Sequence, residues 1–176
     1  MITRTETLKI LEEEGIRGGV LRHSFRVNQI AMYLAKKLIS KGEKINLRLL
    51  DSASLLHDVG KKLHDETEID HVTTGVMILK DRELDNIAEI VRKHSINAIV
   101  EDNKIPTSWE EKLVYYADKR SKGDQLVSLD ERIENMKKRY PKIKEFLSSA
   151  IPKIKEIEDE IFDKIEIDKD LEELKD

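Results

Sequence analysis

Whatever chemistry this chain of 176 residues performs must come largely from five histidines and a handful of aspartates. It has no cysteine, which excludes disulfides, thiolate metal sites, iron–sulfur clusters and a cysteine nucleophile. The histidines are His23, His57, His64, His71 and His94. Four of them stand where apolar side chains belong. Following the stripe Leu34, Ile30 and Val27 backwards at helical spacing leads to His23. Leu50, Ala53 and Ser54 lead to His57, and Ile87, Ile90 and Val91 lead to His94. His71 leads through Gly75 to Ile78 and Leu79, Asp118 sits among Leu113, Val114 and Ala117, and Asp58 follows His57 directly.

One inward histidine reads most simply as a hydrogen-bonded core residue. An inward carboxylate is rarer, because burying it unpaired is unfavourable. Six such groups either burden the fold separately or converge on a divalent cation that satisfies them all. Nitrogen and carboxylate donors without sulfur favour Fe or Mn, with Zn, Ni, Co or Mg as further options. The set His23, His57, Asp58, His71, His94 and Asp118 exceeds what one catalytic ion with open positions needs. Two ions about 3.5–4 Å apart would use every member and clamp a displacement at phosphorus, with the two oxygens of Asp58 as a bridge.

The elements that must position these residues read as helices. Three prolines and seven glycines leave few breakers, and apolar spacings of three and four recur with no period-2 strand pair. The expected architecture is all-α, with helices over 5–14, 19–40, 46–59, 71–80, 84–96 and 108–122, and one from Ser128 to just before Pro141. Asn46 and Ser108 or Thr107 are the expected N-caps. From Lys153 to Asp176 only charged and apolar residues occur. Ile154, Ile157, Ile161 and Ile165 form one thin seam there, suited to lying on the main bundle or to a homodimer contact.

Composition narrows the class. The formal net charge is −4 with 39% charged residues, against a general usage of about 25%. Mild acidity argues against a general nucleic-acid binder, and no stable nucleic-acid complex is expected. No run of about 18 apolar residues exists to span a membrane, and the N-terminus lacks the apolar core of a secretory signal. A cytoplasmic location is expected. Many Lys, Glu and Ile with few Gly and Pro is a combination seen in thermophiles.

His23, then His57-Asp58 within Leu55-Leu56-His57-Asp58-Val59-Gly60-Lys61, then Asp118 within Tyr116-Ala117-Asp118-Lys119, resemble the HD-domain metal-dependent phosphohydrolases. The resemblance covers about residues 18–122. It implies an all-α fold over 1–125 with a C-terminal helical extension over 126–176. It also implies that His23, His57, Asp58 and Asp118 hold a metal that activates water against phosphoesters and phosphoanhydrides. His71 in His71-Val72-Thr73-Thr74-Gly75 and His94 in Lys93-His94-Ser95 extend it toward the binuclear branch. That context is similar to the small stand-alone members that cleave symmetrical dinucleoside tetraphosphates. It is also similar to cyclic-dinucleotide phosphodiesterases with an HD core, but their Gly-Tyr-Pro signature is missing. Arg139-Tyr140-Pro141 is the nearest string and stands elsewhere.

Three readings follow: a binuclear hydrolase of a nucleotide-like phosphate substrate, a mononuclear nucleoside-monophosphate phosphatase, or a non-catalytic metal-bound nucleotide sensor. In the first, Asp58 and Lys61 are catalytic, and Arg22, Arg26, Lys61 and Lys119 bind phosphate, with Arg120 a further basic neighbour. In the second, His71 and His94 are proton donors or phosphate binders. His64 lies in a polar stretch and reads as a surface residue. Asp51 reads as an exposed first-turn acid, or else a support for a ligand. Trp109, Tyr115 and Tyr116 read as core or pocket wall.

Overall fold

Capping residues placed ahead of apolar stripes start several helices of this chain. The computed structural model describes residues 2–64, 70–139 and 144–175, the side chains of 63, 64 and 144 excepted. The surface position expected for His64, and the string at Tyr140-Pro141, lie outside the described residues. The helices are α1 (Arg4–Glu13), α2 (Gly18–Ser40), α3 (Leu47–Leu56), α4 (Lys61–His64), α5 (His71–Asp81), α6 (Asp85–Arg92), α7 (Trp109–Lys119), α8 (Leu129–Arg139) and α9 (Lys144–Ile165). Asn46 caps α3 through Leu49 N, and Ser108 opens α7 in a capping box with Glu111. These caps satisfy amide donors that the first helical turn leaves free.

The α2 helix is central. Val27, Ile30, Ala31, Leu34, Ala35 and Leu38 are fully buried on one stripe, packed by α3 and α7. Cutting Leu34 to alanine there would cost about 2–5 kcal/mol. The isoleucine seam of α9 is likewise buried. It packs against α2, α7 and a 3₁₀ turn at Ile96–Val100, so the thin stripe closes on this chain's own bundle. The α9 helix stops at Ile165, short of the charged end, and Leu171 and Leu174 fold back onto the core. No helix among the described residues is long and apolar enough to cross a membrane.

Three element ends differ from the sequence expectation. The α3 helix stops at Leu56 rather than Val59, α6 stops at Arg92, before His94, and α7 stops at Lys119. After α7 comes a strand pair that periodicity does not reveal, β1 (Ser121–Lys122) antiparallel to β2 (Gln125–Leu126). Each strand has two residues, too few for an alternating pattern. The signal lies in the turn: Gly123-Asp124 joins the strands with Gly123 at φ 60°, a first turn position that glycine favours.

The turn after α3 is tightly wedged against α5. A Cβ on Gly60 would fall 2.2 Å from the His71 carbonyl oxygen and 2.5 Å from the Gly75 nitrogen. Both are backbone atoms and neither can rotate away. Gly75 itself faces Gly60 with room for a methyl, its nearest contacts being 3.4–3.5 Å away. Gly60→Ala should therefore lower stability by about 2 kcal/mol or more. Gly75→Ala, inside a helix, should be neutral or stabilising by up to about 1 kcal/mol. Urea unfolding of the two variants measures the contrast.

Candidate metal centre

Helix ends and the hairpin hold the imidazoles. His57 is the C-cap residue of α3, and its Nδ1 lies 2.8 Å from the Ser54 carbonyl oxygen. His94 follows the α6 cap, with Nδ1 2.6 Å from the Val91 carbonyl oxygen. Both carbonyls lie in the last helical turn, and that of Val91 also accepts from the His94 N–H at 3.3 Å. His23, in the second turn of α2, places Nδ1 2.9 Å from the Gly123 carbonyl oxygen. A carbonyl only accepts. Each Nδ1 therefore donates, and each neutral ring turns an Nε2 lone pair inward.

Those lone pairs meet carboxylates. His23 Nε2 is 3.3 Å from His57 Nε2, 3.0 Å from Asp118 Oδ1 and 3.5 Å from Asp58 Oδ2. His57 Nε2 is 3.3 Å from Asp58 Oδ2 and 3.8 Å from Asp118 Oδ1. Imidazole nitrogens bind a first-row ion at about 2.0–2.1 Å, which sets neighbouring donor atoms roughly 3.0–3.4 Å apart. His23, His57 and Asp58 form a group that could hold one such ion, with Asp118 Oδ1 beside it at 3.0 Å from His23 Nε2. The other oxygen, Asp58 Oδ1, faces His71 Nε2 at 3.8 Å and His94 Nε2 at 3.6 Å. Asp58 thus belongs to two ligand groups, His23–His57–Asp58 and Asp58–His71–His94. All six residues expected to gather around metal are brought together.

The electrostatics show what the pocket lacks. Burial opposes charge on Asp58, but His57, His94 and Lys61 outweigh it and hold its pKa well below the usual carboxylate range. Burial likewise opposes charge on Asp118, and Lys119, His23 and His57 prevail. For His23, burial favours the neutral ring, while Asp118 and Asp58 raise its pKa. The pocket therefore draws in positive charge, a proton where no ion competes. His71 behaves oppositely: burial and the neighbouring His94 lower its pKa to about 4.

The predicted cations separate into two groups. Lys61 Nζ pairs with Asp58 Oδ2 at 2.5 Å and lines the cleft over the centre. Lys119 is buried in the floor, donating to Asp118 Oδ2 at 2.6 Å and to the His94 carbonyl at 2.9 Å, above the Tyr115 ring. Burial lowers its pKa against the pull of Asp118. Arg22 and Arg26 are not among the cleft residues. Arg22 pairs with Asp124, and Arg26 donates to the Asp124 and Leu174 carbonyls and to Gln29. Arg120 is fully buried, donating to the Val127 and Lys169 carbonyls and the Tyr116 hydroxyl. It ties α7 to the hairpin's exit and the C-terminal tail.

Asp51 is not exposed. It accepts from Arg4 and from Asn28 Nδ2, which also donates to Ser54 Oγ, beside the carbonyl that orients His57. Tyr115 and Tyr116 are core residues and Trp109 packs at its edge. Sequence reasoning missed Arg132, Met136 and Arg139, which line the metal cleft from α8. Their spacing of four and three residues on one helix face was the available signal.

Fold and site define an all-α protein, with one short hairpin, built around a His/Asp cluster that could hold metal. The HD domain family matches residues 20–136, and the chain belongs to that family. A tRNA (cytidine(56)-2'-O)-methyltransferase of Picrophilus torridus is 30% identical over 168 residues, which are 89% of this chain and 45% of the relative. An uncharacterized protein of Methanocaldococcus jannaschii is 29% identical over 145 residues, 73% of this chain and 84% of the relative. Ribonuclease Y of Finegoldia magna is 32% identical over 142 residues, 74% of this chain and 26% of the relative. The chain spans about half the length of the methyltransferase-named relatives. These relatives carry names other than the dinucleoside tetraphosphate hydrolases that the motif context resembles. No solved structure matches the chain significantly.

The low pKa of His71 has a consequence for folding. The folded ring stays neutral down to about pH 4, whereas an unfolded histidine protonates near pH 6.5. Its contribution is therefore complete above about pH 6.5 and is lost as pH falls toward 4. The metal-free protein should show this loss in its urea midpoint, and His71→Gln should flatten the slope over that interval.

Proposed function

We propose that this chain is a metal-dependent phosphohydrolase acting on a phosphoanhydride or phosphoester bond of a nucleotide-like substrate, with Asp58 standing in both of two side-chain groups that would hold divalent ions. The observation that carries the reading is the inward lone pairs of His23, His57 and His94 facing Asp58 and Asp118 with every Nδ1 already engaged. His23, His57, Asp58 and Asp118 would hold one ion, and Asp58, His71 and His94 the other. Bound there, divalent ions lower the pKa of water and screen the charge of a phosphoryl group. Fe or Mn is the proposed metal.

The chain's own residues supply the rest. Asp58 orients both groups of ligands from a single side chain. Lys119 fixes Asp118 and the backbone of His94, so the acceptors stay aimed when substrate displaces solvent. Lys61 lines the cleft and contributes positive charge toward phosphoryl oxygens. The ribonuclease name of one relative agrees with phosphodiester chemistry. The methyltransferase name does not transfer: the matched region is under half of that protein, and inward acceptors around a cation suit water activation.

A second reading has one observation in its favour. The Asp58–His71–His94 group is looser, at 3.6–3.8 Å, and the His71 side chain is 31% exposed. A mononuclear phosphatase would keep His23, His57, Asp58 and Asp118 as ligands and use His71 and His94 on the substrate. Rates with Mn or Fe on nucleoside monophosphates, dinucleoside polyphosphates and short oligonucleotides test the proposal. Asp58→Asn should lose about a hundredfold or more in kcat. His71→Ala with His94→Ala should lose at least tenfold, and raising the metal concentration should not restore it. Full activity in that double variant contradicts the two-ion reading, and wild type inert toward all three substrate classes contradicts hydrolysis.

A further inference from the structure

The cleft over the metal centre has a volume of 480 Å³ and is lined by five cationic side chains, Lys61, Lys119, Lys122, Arg132 and Arg139. Among the described residues only two carboxylates line it, Asp58 and Asp118. Both are the proposed metal ligands, and each already pairs with its own lysine, Lys61 or Lys119. Among the described residues, Lys122 and Arg132 are therefore in excess of the acids lining the cleft, in a chain whose net charge is −4. Positive charge has been gathered at one concave place.

The excess is also ordered. Arg132, Met136 and Arg139 follow one another at helical spacing along α8, and Lys122 comes from the hairpin that holds His23. Seven residues of helix separate the two guanidinium-bearing positions by about 10 Å along the axis. Two long arginine side chains converging from those positions can share one anion. Arg132 Nε is buried and has no hydrogen-bond partner among the described residues. A buried guanidinium nitrogen left unpaired is unfavourable, and an incoming anion oxygen relieves it.

From this we infer that the α8 face is a subsite for a second phosphate group: Arg132, with Arg139 and Lys122, holds a phosphate of the substrate other than the one at the metals. The substrate class is then one with at least two phosphates in a chain, and nucleoside monophosphates lack the group that α8 binds. This rests on the phosphohydrolase reading for the identity of the anion at the metals. The chemistry is shared by phosphoanhydride chains and by short oligonucleotides. Met136 and Ile96 add apolar wall to the same cleft, suited to the less polar part of such a molecule.

Binding separates this subsite from the metal centre. Mn-loaded full-length protein is titrated calorimetrically with inorganic phosphate, inorganic tripolyphosphate and a short oligoribonucleotide. Wild type should bind at least one of the two chains more tightly than phosphate. Arg132→Gln with Arg139→Gln should weaken that chain by about tenfold or more, the size of one charge-assisted hydrogen bond. Phosphate affinity and Mn content should stay within about twofold, and Arg132→Lys should retain most of the affinity. Loss confined to tripolyphosphate identifies an anhydride chain, and loss confined to the oligonucleotide a diester chain. Equal loss for phosphate and chain, no loss at all, or no preference for a chain in wild type overturns the inference. If the protein takes up no Mn, the metal reading falls by itself, and tripolyphosphate binding to the metal-free variant pair still decides the role of α8.

Discussion

Everything near the centre follows from one unbalanced set of lone pairs. Three imidazoles give their Nδ1 hydrogens to backbone carbonyls of Ser54, Val91 and Gly123. Their Nε2 atoms then face two aspartates that are themselves acceptors. In a buried pocket such an arrangement is unfavourable without positive charge. A proton on His23 and the ammonium of Lys61 meet part of that need, and bound divalent metal would meet the rest. The pKa directions agree: both aspartates are pushed down despite burial, and His23 is pushed up despite burial.

The fold can be understood as the means of fixing those carbonyls. Helices α3 and α6 end one residue or two from their histidines, so carbonyls of their last turns become imidazole clamps. Had α3 run on to Val59, its last free carbonyls would lie farther along the chain. The turn at Gly60 brings α5, with His71 at its first position, against the end of α3. The hairpin after α7 returns Gly123 to His23, and buried Arg120 braces that hairpin against the tail through the Val127 and Lys169 carbonyls. The C-terminal segment therefore supports the centre without reaching it.

The helical stripes were legible, and so were the residues that interrupt them. His23, His57 and Asp118 could be placed inward because a polar side chain at an apolar position must have a reason to be there. Asn46 and Ser108 could be named as caps because their side chains complete a local amide pattern. Helix ends were not legible where the apolar rhythm continues beyond the last hydrogen bond, as from Val91 to His94. Arg22 and Arg26 were drawn to phosphate by sequence proximity to His23, yet their side chains are held at Asp124 and the tail. Arg132 was missed for the complementary reason. It stands far from every motif and reaches the cleft because α8 folds over it, a long-range event that the helical spacing of Arg132, Met136 and Arg139 does not by itself fix.

The central claim is that the six acceptors converge to hold two ions sharing Asp58. Elemental analysis of tag-free protein, saturated with Mn or Fe and freed of excess by gel filtration, tests it directly. The account predicts two first-row ions per chain. A single ion would contradict the shared bridge, and no ion at any concentration would contradict the convergence itself.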